Sequence, residues 1–210
     1  MKRVATRAAT LGMKAHTGWA AAVAVARADG ELEVVAKRRI DMATTFDEGA
    51  VYHVSQGLPL PRAEALIRAA QERFEALARE AIGALAAELR GAGLELVASA
   101  IVAQAARPLP PLERILRSHA LVHAAEGALY RGVVARASEA CSIPAELLPA
   151  DELAARTARA LGITPAQLTA RLAALGKASG RPWAQDQKES ALAACVALVA
   201  RPVTSPRRGA

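Results

Sequence analysis

From Trp19 to Ala26 every residue is apolar, a run of strand length, and Asp29-Gly30 just beyond it is a hairpin turn signal. Leu32 to Met42 then alternates. Leu32, Val34 and Ala36 share one parity, while Glu31, Glu33, Lys37 and Arg39 take the other. Ahead of both, Val4 to Lys14 reads as a strand that turns at Ala15-His16-Thr17-Gly18. The pattern predicts strands over 5–14, 19–26 and 32–42, joined by short turns into an antiparallel meander. Residues 43–60 are a polar connection carrying Tyr52 and His53 and closed by Gly57-Leu58-Pro59.

The period then changes. Ala63, Leu66, Ile67, Ala70, Phe74, Leu77, Ala78, Ile82, Leu85 and Leu89 recur at helical spacing. Pro61 suits the first turn of that helix, and Gly91 and Gly93 end it, so it runs from Pro61 to Arg90. Leu94 to Val102 is nearly all apolar after Glu95, as in a strand covered on both faces. The stiff loop Arg107 to Pro111 leads into one long helix from Leu112 to Cys141, then a short strand over 143–148. Asp151 to Leu161 is helical, and Thr164-Pro165 starts another helix that ends near Gly176. A Gly-rich loop to Trp183 precedes the last helix, Asp186 to Ala200. The order β-β-β-α-β-α-β-α-α-α is that of an α/β protein: a mixed five-stranded sheet with helices on both faces. Residues 1–200 are read as one domain.

With 53% hydrophobic residues among 210, the chain is not disordered, and two cysteines exclude a disulfide scaffold. No apolar run approaches the ~20 residues of a membrane helix, so no membrane association is expected. The formal charge of +7 comes from the two ends. Lys2, Arg3, Arg7, Arg201, Arg207 and Arg208 have no acid beside them, and without those six, 21 bases face 20 acids. The tail over 201–210 is read as a solvated basic end rather than a nucleic-acid contact. Ala24-Val25-Ala26 resembles a signal-peptide cleavage site, but the apolar core before it is short, lacks leucine and is punctuated by Gly12 and Gly18. That segment is read as folded and the protein as cytoplasmic.

Three short motifs carry a family resemblance. They are Leu11-Gly12-Met13-Lys14 at the end of the first strand, His123-Ala124-Ala125-Glu126-Gly127 in the helix after the fourth, and Asp186-Gln187-Lys188-Glu189-Ser190-Ala191-Leu192-Ala193 opening the last helix. With the element order, the chain resembles the ribonuclease H-like superfamily, as a divergent bacterial member similar to RuvC-type Holliday-junction resolvases. The resemblance implies a nuclease that holds two divalent cations with acids from the first strand, the fourth strand and the last helix. Two such metals stabilise the attacking and leaving oxygens of phosphodiester cleavage. This sequence departs from that pattern. The first-strand aspartate position is Lys14, and the fourth strand has no acid at its C-terminal end; only Asp186 and Glu189 remain. If the resemblance holds, Lys14, Asp186 and Glu189 occupy the catalytic position, and the Lys14 ammonium neutralises the two carboxylates in place of a metal.

A second cluster has its own chemistry. His119, His123 and Glu126 fall at i, i+4, i+7, on one helix face. Two His one turn apart with a nearby Glu can ligate zinc or another transition metal, with His16 or His53 as a further donor. The same spacing also fits a polar face in which Glu126 bonds a histidine or Arg131. No motif specifies a cofactor. Three functional readings follow: a catalytically degenerate ribonuclease H-like protein that binds nucleic acid or a protein partner; an active metal-dependent nuclease with an atypical site; or a metal- or nucleotide-binding protein that shares only the fold.

Overall fold

The computed structural model describes residues 6–104 and 108–201. The first residues of the predicted first strand, Lys2 and Arg3, Arg107, and the basic tail beyond Arg201 lie outside the described residues. Strands β1 (Arg7–His16), β2 (Trp19–Ala28) and β3 (Glu31–Asp41) form the expected antiparallel meander. Asp29 and Gly30 between β2 and β3 both have positive φ (50° and 85°), as a type I′ turn requires. Helices α1 (Phe46–Gly49), α2 (Val51–Val54) and α3 (Leu60–Gly91) lead to β4 (Leu94–Ala103), which pairs parallel to β1. Helices α4 (Leu112–Leu116) and α5 (His119–Ala140) precede β5 (Ala145–Pro149), parallel to β4. Helices α6 (Leu153–Leu161), α7 (Pro165–Ser179) and α8 (Gln185–Ala200) complete the chain. The sheet order is β3-β2-β1-β4-β5.

Three details differ from the sequence pattern. The connection over 43–60 contains two single-turn helices, the first capped by the Thr45 hydroxyl, which accepts from the Glu48 amide. The helix expected over Leu112 to Cys141 is broken at Arg117–Ser118, because the Ser118 hydroxyl accepts from the Leu121 amide and starts a new helix. Leu66 and Leu77 face solvent on α3; its buried stripe is Ala63, Ile67, Phe74, Ala78, Ile82, Leu85 and Leu89.

Both faces of the sheet are covered, which is why β2 is apolar without interruption from Trp19 to Ala26 instead of alternating. Ala9, Leu11 and Met13 of β1 pack with Phe74 and Ile82 of α3 and Tyr130 and Val133 of α5. On the other face, Val23, Val25, Ala98 and Ala100 meet α8, with α6 and α7 outside it. The approach of α8 to β1 is unusually close. A Cβ on Gly12 would fall 1.7 Å from the Ser190 carbonyl oxygen and 2.6 Å from the Ala194 amide. Thr10 Oγ1 donates to the Ala194 carbonyl (2.7 Å), and Ser190 Oγ to the Ala21 carbonyl (3.2 Å). Small residues on both partners thus let α8 lie on the strand, antiparallel to β1, with its first turn at the β1 C-terminal end. Among the described residues, no helix is long and apolar enough to cross a membrane.

Candidate functional site

Lys14 and His16 share a parity with Thr10 and Gly12, so their side chains leave β1 on the α8 face. Lys14 Nζ lies 2.7 Å from Glu189 Oε2 and 3.3 Å from Asp186 Oδ1. His16 Nε2 is 3.1 Å from Asp186 Oδ2, in contact but without hydrogen-bond alignment. Gln185 Nε2 donates to Glu189 Oε1 at 2.6 Å. Every oxygen of the two carboxylates therefore has a nitrogen within 3.3 Å. The three charged groups are only a fifth to a quarter exposed (26% for Lys14, 25% for Asp186, 20% for Glu189). Burial on its own would lower the Lys14 pKa, but the Glu189 and Asp186 carboxylates outweigh it and hold the ammonium above its ordinary 10.5.

Beside this network the sheet carries a stacked row. His16 pairs with Trp19 across the β1–β2 hairpin, and their rings stack at 4.4 Å. From the β3 side the Arg39 guanidinium lies 4.0 Å over the same indole, held by Asp41 at 2.6 Å. The C-terminal end of β4 brings no acid: Val102, beside Lys14 in register, and Ala103 close it, while Glu95 pairs with Ala8 at the opposite end. The structure thus brings Lys14, Asp186 and Glu189 together and adds His16. The strand's two-residue period was the available signal for His16, since residues 14 and 16 must share a face.

The histidines sit across the sheet, on the α5 side. His119 and His123 are exposed at the start of α5, with their Nε2 atoms 2.9 Å apart. The third member is His53 of α2, whose ring stands 5.4 and 4.7 Å from theirs. His16, the other donor considered, is on the opposite face against Asp186. Glu126 is buried beneath the trio rather than within it. Its Oε1 accepts from the Tyr52 and His53 amides (3.2 and 3.3 Å) and lies 3.0 Å from His53 Nδ1. The partner of Glu126 is therefore His53, not Arg131, which folds over Gly127. The Tyr130 hydroxyl donates to the Gly49 carbonyl at 2.7 Å and ties the α1–α2 segment to α5.

The chain is similar to the Thermus thermophilus RuvC structure: 12% identity over 91% of this chain and 95% of that one, with a TM-score of 0.54. T. thermophilus RuvC in complex with Holliday junction substrate matches equally well, at 13% identity, 91% and 94% coverage and a TM-score of 0.54. A looser similarity, at 15% identity and a TM-score of 0.36, covers 74% of this chain and 40% of the Aquifex aeolicus member of the Ppx/GppA protein family. No protein-family model matches the sequence, and no curated protein matches it. The mixed sheet and its two helical layers are a ribonuclease H-like fold, shared with RuvC.

Proposed function

We propose that this protein is a non-hydrolysing member of the ribonuclease H-like fold that binds nucleic acid at the C-terminal edge of its sheet. The observation that carries the reading is the position of Lys14 between Glu189 and Asp186, at 2.7 and 3.3 Å. A hard divalent cation needs several carboxylate oxygens free to converge on it. Here the ammonium already takes that place, and the β4 end supplies no further acid. Lys14 offsets part of the carboxylate charge, and beside it the edge presents the His16 imidazole, the Trp19 indole and the Arg39 guanidinium, group types that meet a phosphate backbone and stack on bases. The similar RuvC protein solved with a Holliday junction makes branched DNA the first ligand to test.

The test is fluorescence anisotropy with a four-way DNA junction and a duplex of equal length, paired with a cleavage assay in magnesium and in manganese. Binding that weakens steeply with salt, with both DNAs left intact, supports the reading. Metal-dependent cleavage that disappears in Asp186→Asn would establish an active nuclease instead. Absence of binding at low salt would refute nucleic-acid recognition and leave a protein partner to be sought.

A further inference from the structure

We infer that His53, His119 and His123 form a binding site for zinc or a similar borderline transition metal, with Glu126 positioning His53. The inference is independent of the nucleic-acid reading, because the trio lies across the sheet from Lys14. One ring nitrogen from each histidine falls within 4.8 Å of the other two. Zinc–nitrogen bonds of 2.0–2.1 Å in a tetrahedral site place donor nitrogens about 3.3 Å apart. The His119–His123 pair, at 2.9 Å, is already near that spacing. Both residues are exposed at the surface, so rotation about their side-chain bonds adjusts them without moving the backbone.

The second, independent observation is Glu126. It is 1% exposed, its Oε1 is held by the Tyr52 and His53 amides, and it lies 3.0 Å from His53 Nδ1, close but without hydrogen-bond alignment. A buried carboxylate behind a ligating histidine fixes its orientation and raises its basicity. It also supplies a negative charge, which the site needs because the N-terminus of α5 opposes a cation. Oε2 of Glu126 is buried with no hydrogen-bond partner, so this carboxylate is not accounted for by helix packing alone. Imidazole donors select zinc, copper, nickel or cobalt and not magnesium or calcium. Three protein nitrogens with the fourth position toward solvent leave room for a water on the metal.

The experiment is titration of the chelator-treated full chain with cobalt(II), followed in the visible, with zinc as competitor. One cobalt per chain with the intense absorption of tetrahedral coordination is expected, displaced by zinc and unaffected by excess magnesium. His123→Ala should weaken binding at least ~100-fold, and Glu126→Gln by roughly 10- to 100-fold, with the metal-free melting temperature recorded for each. If Glu126→Gln does not fold, His119→Ala, an exposed position, still decides the ligand set. Sub-stoichiometric binding, an octahedral spectrum, or unchanged affinity in His119→Ala and His123→Ala would overturn the assignment.

Discussion

Replacing Lys14 tests the ion-pair network most directly. At an effective dielectric of ~20, contacts of 2.7 and 3.3 Å correspond to gross attractions of about 6 and 5 kcal/mol. Most of this is offset by the cost of partly burying three charges. An exposed pair is worth about 0–1 kcal/mol and breaking a buried one costs about 3–5, so groups a fifth to a quarter exposed fall near 2 kcal/mol. For a chain of 210 residues, Lys14→Met should therefore lower the melting temperature by roughly 4–8 °C. Lys14→Asp should lower it further in chelator, because three carboxylates then face one another. Magnesium at ~100 times its dissociation constant would return about 2.7 kcal/mol to that variant, whereas wild type should shift by less than about 1 °C. Val102 is beside Lys14 in register and on the α8 face, so Lys14→Asp/Val102→Glu should bind magnesium more tightly still. The assay is differential scanning fluorimetry of the four proteins with and without magnesium. Wild type stabilised by magnesium as strongly as Lys14→Asp, or Lys14→Met melting like wild type, would show that Lys14 does not hold the two carboxylates in place of a cation.

The same network has a pH signature. Lys14 is raised above 10.5 in the fold, so its stabilisation is complete below that pH and is lost as pH rises through the higher folded value. The melting difference between wild type and Lys14→Met should therefore be constant at pH 7–9 and shrink above ~10.5. Gly12→Ala should cost roughly 4 kcal/mol or more in urea unfolding, because its methyl meets backbone atoms of α8, not a side chain that can turn away. A loss below ~1 kcal/mol would mean that α8 is not seated as described. Cys195, fully buried with its thiol pushed up to about 12, should react with thiol reagents only on unfolding. Cys141, half-buried and donating weakly to the Arg79 carbonyl, should label slowly in the native protein; labelling followed by mass spectrometry distinguishes the two.

The fold was legible because its signals are local. Apolar runs of strand length, the Asp29-Gly30 turn and the helical spacing along α3 are each set by residues only a few positions apart in the chain. What escaped the pattern is one local cap and one contact between distant segments. The apolar spacing of α4 continues into α5, so only the Ser118 cap marks the break. His119, His123 and Glu126 share one helix and can be grouped by spacing, but His53 reaches them from a short polar connection 66 residues before His119. No periodicity links those positions. Only the packing of α2 on α5, tied by Tyr130 to Gly49 and by Glu126 to the Tyr52 and His53 amides, brings the third histidine in.

The character of the sheet edge traces to two positions in β1. Gly12 has no side chain, so α8 can lie against the strand, and that contact carries Asp186 and Glu189 to the strand end whatever residue 14 is. Two partly buried carboxylates brought together this way need a positive charge. A bound cation can supply it, at the cost of making stability depend on metal, or the chain can supply it covalently. Lys14 is the covalent solution. On the function proposed above, it keeps the geometry of the edge and takes the place of the open coordination positions that phosphodiester hydrolysis by metals requires. The fold and the occupancy of its edge therefore rest on different residues. Gly12, Ser190 and Ala194 hold the helix in place, while residue 14 and the end of β4 decide whether a metal can enter. Under the proposed function, changes at the second set alone leave the ribonuclease H-like architecture and its edge surface intact while closing the edge to metal.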